Sequence, residues 1–284
     1  MFVRVGCEFR HTAGAPTPSV WQVRPRRDGP HRLVDERWEV SPACDLAGYL
    51  DLFGNRCDRL TLPVGSSVVR YDAVAEVAGT VDDADPDAPQ LAVEDLPDET
   101  LVHLLPSRLC FPELLAAEAW ALFGSGPVGW RRVQAVCDWV HDNVRYDDAD
   151  STPATTALDV WERRAGVCRD FAQLAITFCR SLNIPARYVF GYLPDVGVPP
   201  PDYPMDFCAW FEAHLGGRWW TFDPRNNQRR AGRVVIGRGR DAVDVAMLTT
   251  YGVPVLDRMT VWADEVGSPT LSDADAGAGD RRAG

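Results

Sequence analysis

Apolar and polar side chains change their rhythm along this chain. Over residues 1–105 they alternate in short runs, at 1–9, 19–23, 33–40, 59–63 and 67–77, broken by Pro and Gly clusters. Such runs predict half-buried strands. Asp51-Leu52-Phe53-Gly54-Asn55 reads as a turn between two of them, and the acidic, Pro-containing stretch 82–98 as a solvated loop or linker. From Pro106 the period becomes helical. Residues 113–123 and 128–144 read as helices, the second with an apolar stripe of Val133, Val136, Cys137, Val140 and Val144. His141 sits beside that stripe, where a lone histidine is a structural or surface residue. A short helix over 157–164 runs into Gly166.

The next helix opens at Cys168 and repeats apolar residues at Phe171, Leu174, Ala175, Phe178, Cys179 and Leu182, until Asn183 and Pro185 stop it. A strand follows over 187–192, and the proline-rich stretch 194–204 is read as one wall of a substrate channel. Along 207–215, Phe207, Ala209, Phe211, Ala213 and Leu215 form one face of a strand; Cys208, Trp210, Glu212 and His214 form the other. Gly216-Gly217 marks a two-residue turn. Leu215 then pairs with Arg218, His214 with Trp219, Glu212 with Thr221 and Trp210 with Asp223. That register puts Cys208 diagonal to Asp223, roughly 7–8 Å between backbones. His214 lies about 20 Å from Cys208 along the strand. No internal repeat is present.

Composition narrows the partners. A net charge of −12 argues against nucleic acid or an anionic membrane surface. No apolar run approaches the roughly 18 residues of a membrane span, and the charged first ten residues lack a signal-peptide core. Eight cysteines without a Cys-x-x-Cys pair read as reduced thiols in a cytoplasmic protein, not as a disulfide scaffold or zinc ribbon. The 29 cationic residues are all arginine, so the chain offers no lysine amine of its own for cross-linking. Arg225, Arg229, Arg230, Arg233, Arg238 and Arg240 cluster on this acidic protein, either to bind a substrate carboxylate or phosphate or to pair with its own Asp-rich surface. Trp210, Trp219 and Trp220 either line a substrate tunnel or pack the hairpin.

The candidate chemistry centres on Cys168. A thiol at a helix N-terminus faces unpaired N–H groups and the positive end of the dipole, which favour thiolate. Its own N–H is a ready oxyanion donor. Asp170 is assigned to capping.

Gly166-Val167-Cys168-Arg169-Asp170-Phe171-Ala172, the 183–192 strand segment, Ala209-Trp210-Phe211-Glu212 and Phe222-Asp223-Pro224 resemble the bacterial transglutaminase-like superfamily over roughly residues 110–260. The element at 49–55 is similar to the β domain that often precedes such cores. The resemblance implies an α+β fold, with a papain-like core over 106–265 and an N-terminal β-rich domain over 1–105; the tail over 266–284, rich in Asp, Ala and Gly, is expected to be disordered. The resemblance also implies a cysteine nucleophile at Cys168, an orienting acid at Asp223 and no cofactor. The substrate would be a peptide, protein or small amide, with an amine or water as acceptor.

Where that family carries histidine, this chain has Cys208. A thiol with a reference pKa near 8.5 is a poorer base than imidazole and never becomes a cation. It can share one proton with Cys168, giving a Cys168-Cys208-Asp223 triad in which a protonated Cys208 steadies a Cys168 thiolate. Three other readings stand beside that one: a non-catalytic binding module, a Cys168–Cys208 disulfide redox site, and a metal site on Cys168, Cys208 and Asp223.

Overall fold

The computed structural model describes residues 1–199 and 201–268; most of the acidic tail expected over 266–284 lies outside them. The alternating segments form strands close to where the pattern places them: β1 (Phe2–Ala13), β2 (Thr17–Trp21), β3 (His31–Ser41), β4 (Ala47–Leu50), β5 (Arg56–Leu62) and β6 (Gly65–Val77). β6 buries every second residue along most of its length, as a sheet with one wet face requires. The 51–55 turn closes on Asp51, whose Oδ1 accepts from the N–H groups of Phe53 and Asn55, both at 2.8 Å.

The helical half holds α1 (Asp98–Leu101), α2 (Ala116–Phe123), α3 (Trp130–Asn143), α4 (Ala157–Arg163) and α5 (Cys168–Ser181). Two short parallel strands, β7 (Arg145–Tyr146) and β8 (Ala165–Gly166), lead into α5. Then come β9 (Ala186–Tyr192), β10 (Cys208–Leu215), β11 (Arg218–Phe222) and β12 (Val234–Gly239), forming a sheet in the order β11-β10-β9-β12. α5 is buried along nearly its whole length against this sheet and against α2, α3 and α4. Phe178 anchors an aromatic nest with Phe123, Trp139 and Trp161, ring centroids 5.5 to 5.7 Å apart.

Two expectations about organisation are corrected. The last strands, β13 (Leu248–Thr250) and β14 (Val255–Val266), do not belong to the core: β13 pairs with β2, and β14 with β1 along its length from Phe2↔Val266 to Thr12↔Val255. The β-rich part is therefore built from both ends of the described chain, in sheets ordered β14-β1-β6-β3 and β13-β2-β5-β4. Nor are 1–105 and 106–265 separately packed. One hydrophobic cluster runs from Val3 and Trp21 through Phe178 to Ile236. Asn55 joins the halves, donating to Arg238 O and accepting from Arg238 N at 2.8 Å each. The second correction concerns 82–98, which is more than a solvated linker. Ala88 and Leu96 are buried, Trp130 N–H donates to Ala88 O, and Gly216 N–H to Pro89 O.

Candidate active site

Cys168 is presented by a locally determined turn. Tyr146 pairs with Gly166, so β7 fixes the approach to the helix. Asp170 curls back to accept from Val167 N–H at 3.0 Å, with Arg169 Nε on its other oxygen at 2.9 Å. This is the capping role read from the sequence. A side chain at Gly166 would collide with Asp170, its Cβ only 2.7 Å from the Asp170 Cβ. The Cys168 thiol is half-buried.

The hairpin has the expected register. Leu215↔Arg218, His214↔Trp219 and Glu212↔Thr221 pair across Gly216-Gly217, whose φ values of 57° and 84° suit a two-residue turn. Cys208 opens β10 opposite Gly191 of β9. A Cβ on Gly191 would sit 2.4 Å from Val234 O, so this position keeps β9 and β12 in register beside the thiols. His214 is buried at the far end of the hairpin, its ring 5.2 Å from that of Trp219.

The two thiols meet. The Cys208 thiol and the Ala209 N–H both favour the Cys168 thiolate, while the Cys208 S–H itself lies 3.7 Å from the Ala209 carbonyl, which can accept from it. The Cys208 thiol does most to lower the Cys168 pKa; burial opposes it, and the Arg225 guanidinium assists. Cys208 moves the other way. Its hydrogen bond to Cys168, its burial and the charges of Cys168 and Asp223 all push it well up, with Arg233 opposing. The two shifts run in opposite directions, so Cys168 gives up its proton before Cys208 does.

Asp223 lies one residue beyond the paired part of β11. The ladder ends at Phe211↔Phe222, and Pro224 cannot continue it. The Asp223 carboxylate turns to Asn226, whose N–H and Nδ2 donate at 3.0 and 2.8 Å, and to Arg233 Nη2 at 2.9 Å. It reaches Cys208 through its field and not through a hydrogen bond. Its occupied oxygens also tell against a shared metal site, and among the described residues no group of three or more His, Cys, Asp or Glu converges to hold an ion.

A cleft of about 790 Å³ opens over Cys168, walled by Pro199, Pro201 and Pro204 of the proline-rich stretch together with Tyr203 and Phe207. Three lining residues were not singled out as a set by the sequence: Tyr146, Tyr203 and Arg225. The Arg225 guanidinium lies 4.6 Å from the Tyr146 ring centre and 5.7 Å from that of Tyr203, and donates to the Tyr203 hydroxyl. In the sequence Arg225 stands out only as one member of the arginine cluster, directly after Asp223-Pro224. Other arginines of the cluster pair with acids of this chain: Arg230 with Asp195, Arg233 with Asp82 and Asp223, Arg238 with Glu212, Arg240 with Asp244. The three tryptophans do not line the Cys168 cleft. Trp220 Nε1 donates to Leu215 O at 3.0 Å, Arg233 covers Trp210 at 4.7 Å, and Trp219 meets His103 and His214 edge to face.

Comparison with known proteins places this geometry. The family model described as "Transglutaminase-like superfamily" matches residues 123–224, a span containing Cys168, Cys208 and Asp223. A crystal structure described as "a Putative Cysteine Protease from Cytophaga hutchinsonii" superposes with a TM-score of 0.84 at 31% identity, covering 96% of this chain and 94% of that one. The chain belongs to the transglutaminase-like superfamily, with the papain-like core and sheet-rich N-terminal region expected of it. It is similar to the uncharacterised protein ML0607 of Mycobacterium leprae, 28% identical over 242 residues, 80% of this chain and 83% of the relative. A Mycobacterium tuberculosis protein is 35% identical over 118 residues, 38% of each chain.

Proposed function

We propose that this protein is a thiol acyltransferase or amidohydrolase acting on a carboxamide or peptide amide, with Cys168 as nucleophile and Cys208 as proton carrier. The observation that carries the reading is the Cys168 thiol at the N-terminus of α5, lining an open cleft, with its pKa lowered chiefly by the neighbouring Cys208 thiol. The Cys168 thiolate attacks the amide carbonyl, and its own N–H supports the oxyanion. As the C–N bond breaks, the amine leaves with the Cys208 proton. Cys168 is then a neutral thioester, so the charge that held Cys208 protonated has gone, and the Cys208 thiolate becomes tolerable. In the second half, Cys208 takes the proton of the incoming amine or water as the new C–N or C–O bond forms. The thioester bond breaks and Cys168 leaves as thiolate.

Asp223 acts at one remove in this scheme, holding Arg233 beside the pair. The abundance of unpaired, buried thiols fits a cytoplasmic setting for the enzyme. The test is intact-mass detection of an acyl adduct on Cys168, with ammonia release and hydroxylamine capture, from a glutamine-containing peptide library. An adduct that vanishes in Cys168→Ala supports the reading. Failure to form any adduct across amide, ester and peptide donors, with a reactive Cys168, would favour a binding module.

A further inference from the structure

The cleft has a charge that the thiol scheme leaves unexplained. Two arginines line it. Arg230 is buried and neutralised by Asp195 at 2.9 Å. Arg225 makes no direct ion pair with a carboxylate among the described residues, although Asp206 lies within reach of its field, and its side-chain donor bond goes to a neutral phenol. A half-buried guanidinium without a counter-ion is costly unless an anion is nearby.

Its placement is rigid from several sides. His141 Nδ1 bonds the Arg225 carbonyl at 2.9 Å, which gives the histidine beside the α3 stripe a specific job. Asn226 N–H and Asn227 N–H both bond Asp223, at 3.0 and 2.8 Å, closing the loop on either side. The head group is bracketed by Tyr146 and Tyr203, and Tyr146 is the residue paired with Gly166, two positions before Cys168. Aromatic faces hold a guanidinium without neutralising it.

We infer that Arg225 is the counter-charge of this site, a fixed guanidinium that keeps the Cys168–Cys208 pair at one proton instead of two. The inference rests on the thiol reading above and deepens it. In a Cys–His pair one ring supplies both the cation and the proton. Here the two duties are divided: Arg225, which does not deprotonate in a protein, supplies charge, and Cys208 carries the proton. The anion sits on Cys168 before acylation and on Cys208 after it, and one guanidinium serves both. The other groups facing the pair do not replace it. Asp206 before β10 and Asp148 after β7 are negative, Tyr146, Tyr203 and the buried Tyr188 of β9 are neutral, and Arg233 is engaged by Asp82 and Asp223. Burial works against the charge of Arg225, yet the fields of Cys208 and Cys168 overcome it.

The experiment is the pH profile of Cys168 alkylation on the full reduced chain, read peptide by peptide, with thiolate absorbance as a parallel measure. Arg225→Gln keeps a hydrogen bond for Tyr203 but loses the charge; Arg225→Lys keeps the charge. The Gln variant should raise the Cys168 midpoint by about one pH unit or more, roughly tenfold slower alkylation below the midpoint, and the Lys variant should recover most of it. Tyr203→Phe, at a half-exposed position, releases the clamp and should move the midpoint part of the way. Wild-type and Gln profiles that coincide, or an unmoved Tyr203→Phe profile should the Gln variant not fold, would overturn the role of Arg225 while leaving Cys168 a reactive thiol. A wild-type Cys168 no faster than the buried thiols would overturn the thiol reading, and this inference with it.

Discussion

Asp223 and Arg233 form an ion pair at 2.9 Å with side chains only 3% and 4% exposed, so the acid of the expected triad is committed to a guanidinium. Arg233 also holds Asp82, with Nε 2.9 Å from both carboxylate oxygens. One cation thus neutralises two acids contributed by distant parts of the chain. Arg233→Met would strand both, and the expected loss is about 3–5 kcal/mol of stability. Urea unfolding measures it; a loss under 1 kcal/mol would mean that the carboxylates find water.

The second prediction concerns the thiol pair itself. Cys208→Ser weakens the donor that does most to lower Cys168, so the Cys168 midpoint should rise towards the ordinary thiol value of about 8.5. Cys208→His should restore a thiolate at neutral pH and add a second titration near that of imidazole, about 6.5. Per-cysteine alkylation rates settle both; a Cys208→Ser profile identical to wild type counts against a shared proton.

Acid stability follows from three buried or half-buried groups. Burial pushes the imidazoles of His31 and His103 down to about 4 and about 3. Glu36, though burial opposes its charge, is drawn down to about 2 by Arg56 and Arg24. For all three the unfolded chain binds protons before the folded one does. Their stabilisation is complete above the unfolded values and lost as pH falls, from about 6.5 for the histidines and 4.5 for the glutamate. The urea midpoint should fall steadily between pH 6.5 and 3, and His103→Phe should remove up to about 1.4 kcal/mol per pH unit from that slope. An unchanged slope would show that His103 does not enter the folded state neutral.

The hairpin turn offers a graded test. Gly216 and Gly217 both have positive φ, and an L-residue there costs roughly 1–2 kcal/mol. A Cβ at Gly216 would also press on Pro89 Cδ at 3.1 Å, whereas one at Gly217 meets nothing within 4 Å. Gly216→Ala should therefore destabilise more than Gly217→Ala, as read by thermal unfolding. The reverse order would mean that the 82–98 segment gives way freely.

What the sequence made legible was local. The start of α5, its capping aspartate and the β10–β11 register depend on residues within a few positions of one another, and all three were readable. Asp223 lies just past the last paired residue, Phe222, so strand register alone does not say that its carboxylate bonds Asn226 and Arg233. Arg225 stood in a run of arginines whose pairing partners, Asp195, Asp82, Glu212 and Asp244, belong to other loops and strands. Arg225 and Arg229, the two members with no carboxylate ion pair among the described residues, could be recognised only after the others were matched. β14 was missed for a related reason: an alternating strand announces that it will pair, but not with whom.

The pairing of β14 with β1 also sets a timetable for synthesis. β1 emerges first, but Val266, the partner of Phe2, follows the entire helical core. At about 5–20 residues per second the N-terminal strand waits on the order of tens of seconds with one edge open. Such an edge invites pairing with a neighbouring nascent chain. The alternate Arg4, Glu8 and Arg10 along β1, charged and outward-facing, work as guards during that interval, before they become ordinary surface residues of the finished sheet.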